Sequence, residues 1–173
     1  MTPTEEAAIT AALSEEDALA LTMFAEAAGD QAEGGSSVEE RVAVGCVIRN
    51  RVHTKNRWGK TFRAVCLARK QFSCWNPGTD ANHVRLMLLA GRVAGIVAGP
   101  AVDDPIFLET VYLALGIIDG TILDRTGGAT SYYAPKAMKP AGAKPAWVFL
   151  NGRDGPEHRP TAVIGSQVFY RNV

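Results

Sequence analysis

Glu26 lies within Leu21-Thr22-Met23-Phe24-Ala25-Glu26-Ala27-Ala28-Gly29-Asp30, where nearly every neighbour is apolar or small. A carboxyl group with little water around it resists ionisation, because burial penalises the charged form. Gly29 reads as a helix stop. Glu26 would then sit near the negative end of the helix dipole, which also favours the protonated acid. A glutamic acid that keeps its proton near neutral pH suits general-acid chemistry on a poor leaving oxygen, as in glycoside cleavage. The competing reading is a solvated glutamate on a helix surface, the commoner fate of this residue type.

A second group of residues with chemistry to offer is Gln71-Phe72-Ser73-Cys74-Trp75-Asn76-Pro77-Gly78. Pro77-Gly78 ends any helix there. A loop bearing two aromatic rings, an amide and a hydroxyl is suited to a sugar, whose CH faces pack on rings while its hydroxyls meet polar groups. It equally fits a hydrophobic plug under a loop. Asn50 shares a helix face with Cys46 and needs partners on an otherwise apolar side; an internal hydrogen-bonding role and a substrate-binding role stand level. His53, His83 and His158 are scattered, no His-Glu-x-x-His is present, and Cys66, Cys74 and His83 lack zinc-ligand spacing. His83 reads as structural or solvated. Neither a Gly-x-Ser-x-Gly elbow nor a phosphate-cradling glycine loop is found. Acid–base chemistry by a carboxylate is the enzyme option left.

The elements that must position these groups are mostly helices. Residues 3–12 read as a short helix with Pro3 in its first turn. Ser14 and Asp17 form a capping box for a helix from Glu15 to Ala28, apolar over so much of its circumference that it should be central. Ser37-Val38-Glu39-Glu40 opens another helix running to about His53. A short helix is expected over Thr61–Arg69, a longer one over Asn82–Ala98, and a third from Asp104-Pro105 through Ile118 to Gly120. After Gly127-Gly128 the period changes. Ala129–Ala134, Ala146–Leu150 and Ala162–Tyr170 read as short strands between Pro/Gly-rich loops. The fold class is thus α+β and mainly helical, with a small antiparallel sheet.

A chain of 173 residues fits one domain, here 1–173 with residues 1–13 as a peripheral helix. Hydrophobic residues make up 47% and charged residues 21%, as in an ordinary globular protein. Eighteen basic residues balance eighteen acidic ones, which argues against a general nucleic-acid binder. The acidic start Met1-Thr2-Pro3-Thr4-Glu5-Glu6 lacks the features of a signal peptide, and no apolar run is long enough for a membrane span. Synthesis in the cytoplasm without stable membrane association is the expectation. Cys46 reads as core; the spacing of Cys66 and Cys74 permits a disulfide in an oxidising compartment.

Phe24-Ala25-Glu26-Ala27-Ala28-Gly29-Asp30, Val42-Ala43-Val44 with Asn50-Arg51-Val52, Gln71-Phe72-Ser73-Cys74-Trp75, Gly128-Ala129-Thr130-Ser131-Tyr132-Tyr133, and Ile164-Gly165-Ser166-Gln167-Val168-Phe169-Tyr170 occur in that order. Together they resemble the SleB/CwlJ-type cell wall hydrolase family. The resemblance implies a lysozyme-like, mainly helical fold beside a peptidoglycan cleft, with Glu26 as the catalytic acid. It implies substrate binding by Asn50, Gln71, Phe72, Ser73, Trp75, Thr130, Tyr132 and Tyr133, and neither cofactor nor metal. Ala28 and Asp30 stand where the family usually has arginine and glutamate, and Ser131 stands where it often has histidine. The implied activity is cleavage of the β-1,4 bond between N-acetylmuramic acid and N-acetylglucosamine. With one assured acid, and only Asp30 and Glu33 as candidates for a second, a lytic transglycosylase is the consistent scheme and a muramidase the alternative. The implied setting is a phage endolysin, monomeric and released to the wall or periplasm by a holin-type pore, with a bacterial autolysin as the alternative. The rival from another class is a non-catalytic wall-binding or virion module.

Overall fold

Each of the first three helices opens on a capping box, in which a side-chain hydroxyl and a carboxylate satisfy two backbone N–H groups reciprocally. Thr2 with Glu5 starts α1 (Pro3–Ala12), Ser14 with Asp17 starts α2 (Glu15–Glu26), and Ser37 with Glu40 starts α3 (Val38–His53). Thr61 caps α4 (Phe62–Cys66), α5 spans His83–Val93, and Asp104 caps α6 (Pro105–Ile118). The computed structural model describes residues 1–27, 37–54, 57–77, 83–150 and 155–171.

The helix from Ser14 is central, as its composition predicts. Ala18 to Met23 are buried without a break, and α2 packs against α3, α4, α5 and α6. Phe24 meets Phe107 of α6 edge to face at 5.5 Å, a favoured aromatic arrangement. The remaining helix, α1, lies on α5. Ile9 fills the core, and His83 joins Glu6 (Nε2 to Oε1, 3.3 Å) to the Cys74 carbonyl (Nδ1 to O, 3.1 Å). His83 is therefore structural. Cys46, Cys66 and Cys74 are all free and buried, so Cys66 and Cys74 do not pair.

Several boundaries differ from the sequence reading, each for a local reason. The central helix stops at Glu26 with Ala27 as its cap; Ala28 and Gly29 lie outside the described residues. α4 ends at Cys66 rather than Arg69, because the chain turns over Ala68–Gln71 (N–H of Gln71 to the Ala68 carbonyl, 3.0 Å) to bring the next segment towards α2. α5 ends at Val93 rather than Ala98. Gly95 takes a left-handed φ of 69° and the Ile96 N–H returns to the Gly91 carbonyl, a helix stop that glycine makes without steric cost. Ala146–Leu150 is not a strand. Ala146–Val148 is a 3-10 turn held by bonds to the Pro145 and Ala146 carbonyls, and only Phe149 forms a bridge, with Glu157.

Ala162–Tyr170 is two strands rather than one. β1 (Ser131–Tyr133), β2 (Ala162–Ile164) and β3 (Gln167–Tyr170) form an antiparallel sheet in the order β1-β3-β2. One face lays Phe169 on Ala43 and Val47 of α3; the other carries Tyr133, Trp147 and Tyr170. The expected α+β, mainly helical class with a small antiparallel sheet is what the chain adopts.

The β2–β3 turn is tied to the start of α3. Glu40 Oε1 accepts from the Ser166 N–H at 2.7 Å and its hydroxyl at 2.9 Å, while Gly165 sits at φ 55°. A Cβ at Gly165 would stand 2.2 Å from that carboxylate oxygen. Gly165→Ala should therefore destabilise the fold by about 1–2 kcal/mol from the left-handed backbone alone, with the loss of the Glu40 bonds added. Urea denaturation followed by circular dichroism measures it, and a midpoint at or above that of the parent would refute the assignment.

Candidate active site

Glu26, the last residue of α2, presents a half-buried carboxylate to two distant segments. Oε1 accepts from the backbone N–H of Cys74 at 3.1 Å and from the Ser73 hydroxyl at 3.3 Å. Oε2 accepts from the Tyr132 hydroxyl at 2.9 Å. The carboxylate is thus not merely enclosed by apolar neighbours, as the sequence around it leads one to expect. It meets hydrogen-bond donors delivered by a 3-10 turn (Ser73–Trp75) and by β1. Burial, followed by the adjacent Glu26 charge, pushes the Tyr132 hydroxyl well above its ordinary value. Tyr132 is therefore a donor at any working pH.

The sequence-derived site residues divide into those the fold gathers and those it does not. Ser73 and Tyr132 touch Glu26 directly. Gln71 stands one step back, its Oε1 accepting from Arg51 Nη1 at 3.2 Å. Phe72 is no platform for a sugar: it is 2% exposed and packs under the Arg51 guanidinium, whose carbon lies 5.0 Å from the ring centre. Trp75 donates its indole N–H to Thr22 Oγ1 at 2.9 Å, one turn before Glu26, and its ring borders a depression with Pro3, Thr10 and His83. Thr130 is buried, with its carbonyl accepting from Arg51 Nε at 2.7 Å and its N–H donating to Tyr170. Tyr133 belongs to the opposite sheet face, edge to face with Trp147 at 5.9 Å and stacked near Tyr170. Successive strand residues point to opposite sides, so only one tyrosine of the pair reaches Glu26. Asp30 and Glu33 lie outside the described residues.

Asn50 is spent on internal order. Its amide nitrogen donates to Asp124 Oδ2 and the Ala129 carbonyl, each at 3.0 Å, and approaches Thr126 Oγ1 at 3.5 Å. Asp124 also collects the Thr126 N–H and hydroxyl and the Gly128 N–H. Burial acts to raise the Asp124 carboxyl, but these donors outweigh it and hold the group below the usual carboxylate range. The loop leading into β1 is fixed in this way, and Tyr132 with it.

Arg51 and the Cys74 N–H were not singled out by sequence. The first had a signal: Val44, Ile48 and Arg51 follow helical spacing, and an arginine on a buried stripe must have specific partners. The second had none, since a backbone donor carries no side-chain signature. A groove of about 910 Å³ lies elsewhere, between the start of α3, Thr121–Leu123 and β2, and includes neither Glu26 nor any residue bonded to it. Among the described residues no cluster of His, Cys, Asp or Glu is placed to hold a metal ion.

The Cell Wall Hydrolase family model matches residues 35–170, most of the chain, and the protein belongs to that family. The donors to Glu26 among the described residues fall within the matched stretch, and Glu26 itself precedes it. No curated protein and no solved structure matches the chain.

The Asn50–Asp124 pairing has a measurable consequence. A carboxyl held below its unfolded value contributes stability above that unfolded value and loses it as pH falls through the folded one. Asn50→Ala removes one donor and should lower stability by about 1–3 kcal/mol at neutral pH, with a smaller further loss on acidification than the parent shows. Urea titrations at neutral and acidic pH report both quantities; equal stability of variant and parent at neutral pH would contradict the pairing.

Proposed function

We propose that this cell wall hydrolase is a lytic transglycosylase acting on peptidoglycan glycan strands, with Glu26 as its single acid and base. The observation that carries Glu26 as acid and base is the set of groups on its carboxylate, a backbone N–H and two hydroxyls, and among the described residues none of these partners is a carboxyl group. Oε1 already accepts from two donors, one of which can only donate. Oε2 accepts from Tyr132 and has a further lone pair for the proton to be transferred.

In this scheme Oε2–H protonates the glycosidic oxygen between the muramic and glucosamine units while the muramic C1–O bond breaks. The 2-acetamido oxygen bonds to C1 and stabilises the developing cation. The Glu26 carboxylate then takes the proton of the muramic 6-hydroxyl, O6 displaces the acetamido oxygen at C1, and a 1,6-anhydro end results. No water enters, so the acid is regenerated at the end of each cycle. A two-carboxylate hydrolase would need a second acid to activate water or attack C1. Peptidoglycan as substrate and the wall as place of action follow from the family. The finer role that fits is a phage endolysin that reaches the wall through a holin-type pore. Among the described residues no helix is long and apolar enough to cross a membrane.

Mass spectrometry of muropeptides from digested sacculi tests the chemistry. The anhydro end is lighter than the hydrolysed end by one water; reducing muramic ends alone would establish a muramidase instead. Glu26→Gln should lower the rate by ~10²–10⁴-fold, the usual worth of a general acid, while the variant still sediments with sacculi. A non-catalytic wall-binding module would show no change in the turbidity of permeabilised cells on that substitution.

A further inference from the structure

Arg51 takes no part in the chemistry above, yet it holds both chain segments that bring donors to Glu26. Nε donates to the Thr130 carbonyl, two residues before Tyr132, and Nη1 donates to Gln71 Oε1, two residues before Ser73. The guanidinium carbon lies 5.0 Å from the Phe72 ring centre and 5.6 Å from that of Trp58, and the residue is 7% exposed. A buried planar cation between rings presents its donors in a rigid fork, which suits two fixed acceptors. Its neighbour Asn50 holds the preceding carbonyl, that of Ala129. The titratable groups that bear on the guanidinium are Glu26 on α2, Tyr132 on β1, Cys66 on α4, and Arg57.

We propose that Arg51 is the positioning residue of the active site. Its guanidinium clamps the strand carrying Tyr132 and the turn carrying Ser73 and Cys74 to each other, so that their donors converge on Glu26. Neither segment is long: β1 has three residues and the turn has three, and the two are joined to α3 through the same side chain. Lysine in this place would keep the charge but lose the planar fork and its stacking, so it could not serve both acceptors in the same geometry. The proposal rests on the reading of Glu26 as the acid, and it assigns Gln71 to the clamp rather than to the sugar.

The test compares Arg51→Lys, Gln71→Ala and Glu26→Gln with the parent on purified sacculi, taking kcat and KM separately and the folded fraction from thermal melts. Arg51→Lys should fold, keep KM within about threefold, and lose kcat by ~10²-fold, the cost of misplacing catalytic groups by about an ångström. Gln71→Ala should lose kcat in the same direction by a smaller factor at unchanged KM. Should Arg51→Lys fail to fold, Gln71→Ala decides alone, and parental kcat in it overturns the proposal. A kcat loss that merely tracks the unfolded fraction, or a rise in KM at constant kcat, also overturns it. If Glu26→Gln is inactive while Arg51→Lys is fully active, the clamp fails and the acid stands. If Glu26→Gln retains activity, both readings fall.

Discussion

A proton donor works only if the groups around it hold still while the proton leaves. Glu26, the acid proposed above, has donors from 47, 48 and 106 residues further along the chain. That residue is on α2, which is packed by four other helices. Its partners are on a single 3-10 turn and a three-residue strand, neither able to order itself alone. The structure resolves this imbalance through α3. Two consecutive residues on it, Asn50 and Arg51, accept the task of holding two consecutive carbonyls, Ala129 and Thr130, just ahead of Tyr132. The rigidity of long helices is passed to short segments through buried polar contacts, where an unmet partner would be costly.

How far the sequence reveals this depends on how local each determinant is. The caps at Ser14, Ser37 and Asp104 involve residues two or three apart, and they were legible because nothing distant competes with them. The central place of α2 was legible from its composition. Phe72 and Tyr133 are the instructive failures. Both are aromatic residues beside polar ones in a segment that does meet Glu26, and their types match a sugar-binding surface. One is buried beneath an arginine from another helix; the other is turned away by the alternation of a strand whose register only the paired β3 fixes. The hairpin at Ile164–Gln167 carries a local turn signal, Gly165-Ser166 between two apolar runs, but its anchor is distant. A single glycine carries the turn, and the glutamate that anchors it lies 126 residues earlier.

The stretch matched to the Cell Wall Hydrolase family runs from residue 35 to residue 170. It contains the elements that bring donors to Glu26, α3 to β3, together with Arg51 and its two acceptors. α1 and α2 precede it and contribute the carboxylate and much of the core. The proposed site would thus be assembled between an early helical pair and a later scaffold. Cys74 marks the junction: its N–H reaches Glu26 while its carbonyl faces the His83 ring that joins Glu6 of α1.

The three thiols carry a consequence of another kind. Burial pushes Cys46 up to about 11 and Cys66 up to about 12, and Cys74 is equally enclosed. The thiolate is the form that attacks oxidants and disulfides, so near neutrality the first two of these sulfurs offer almost none of it. A core closed over reduced sulfur needs neither an oxidant to complete it nor a reductant to preserve it. A change from reducing to oxidising surroundings would find Cys46 and Cys66 closed off and mostly protonated.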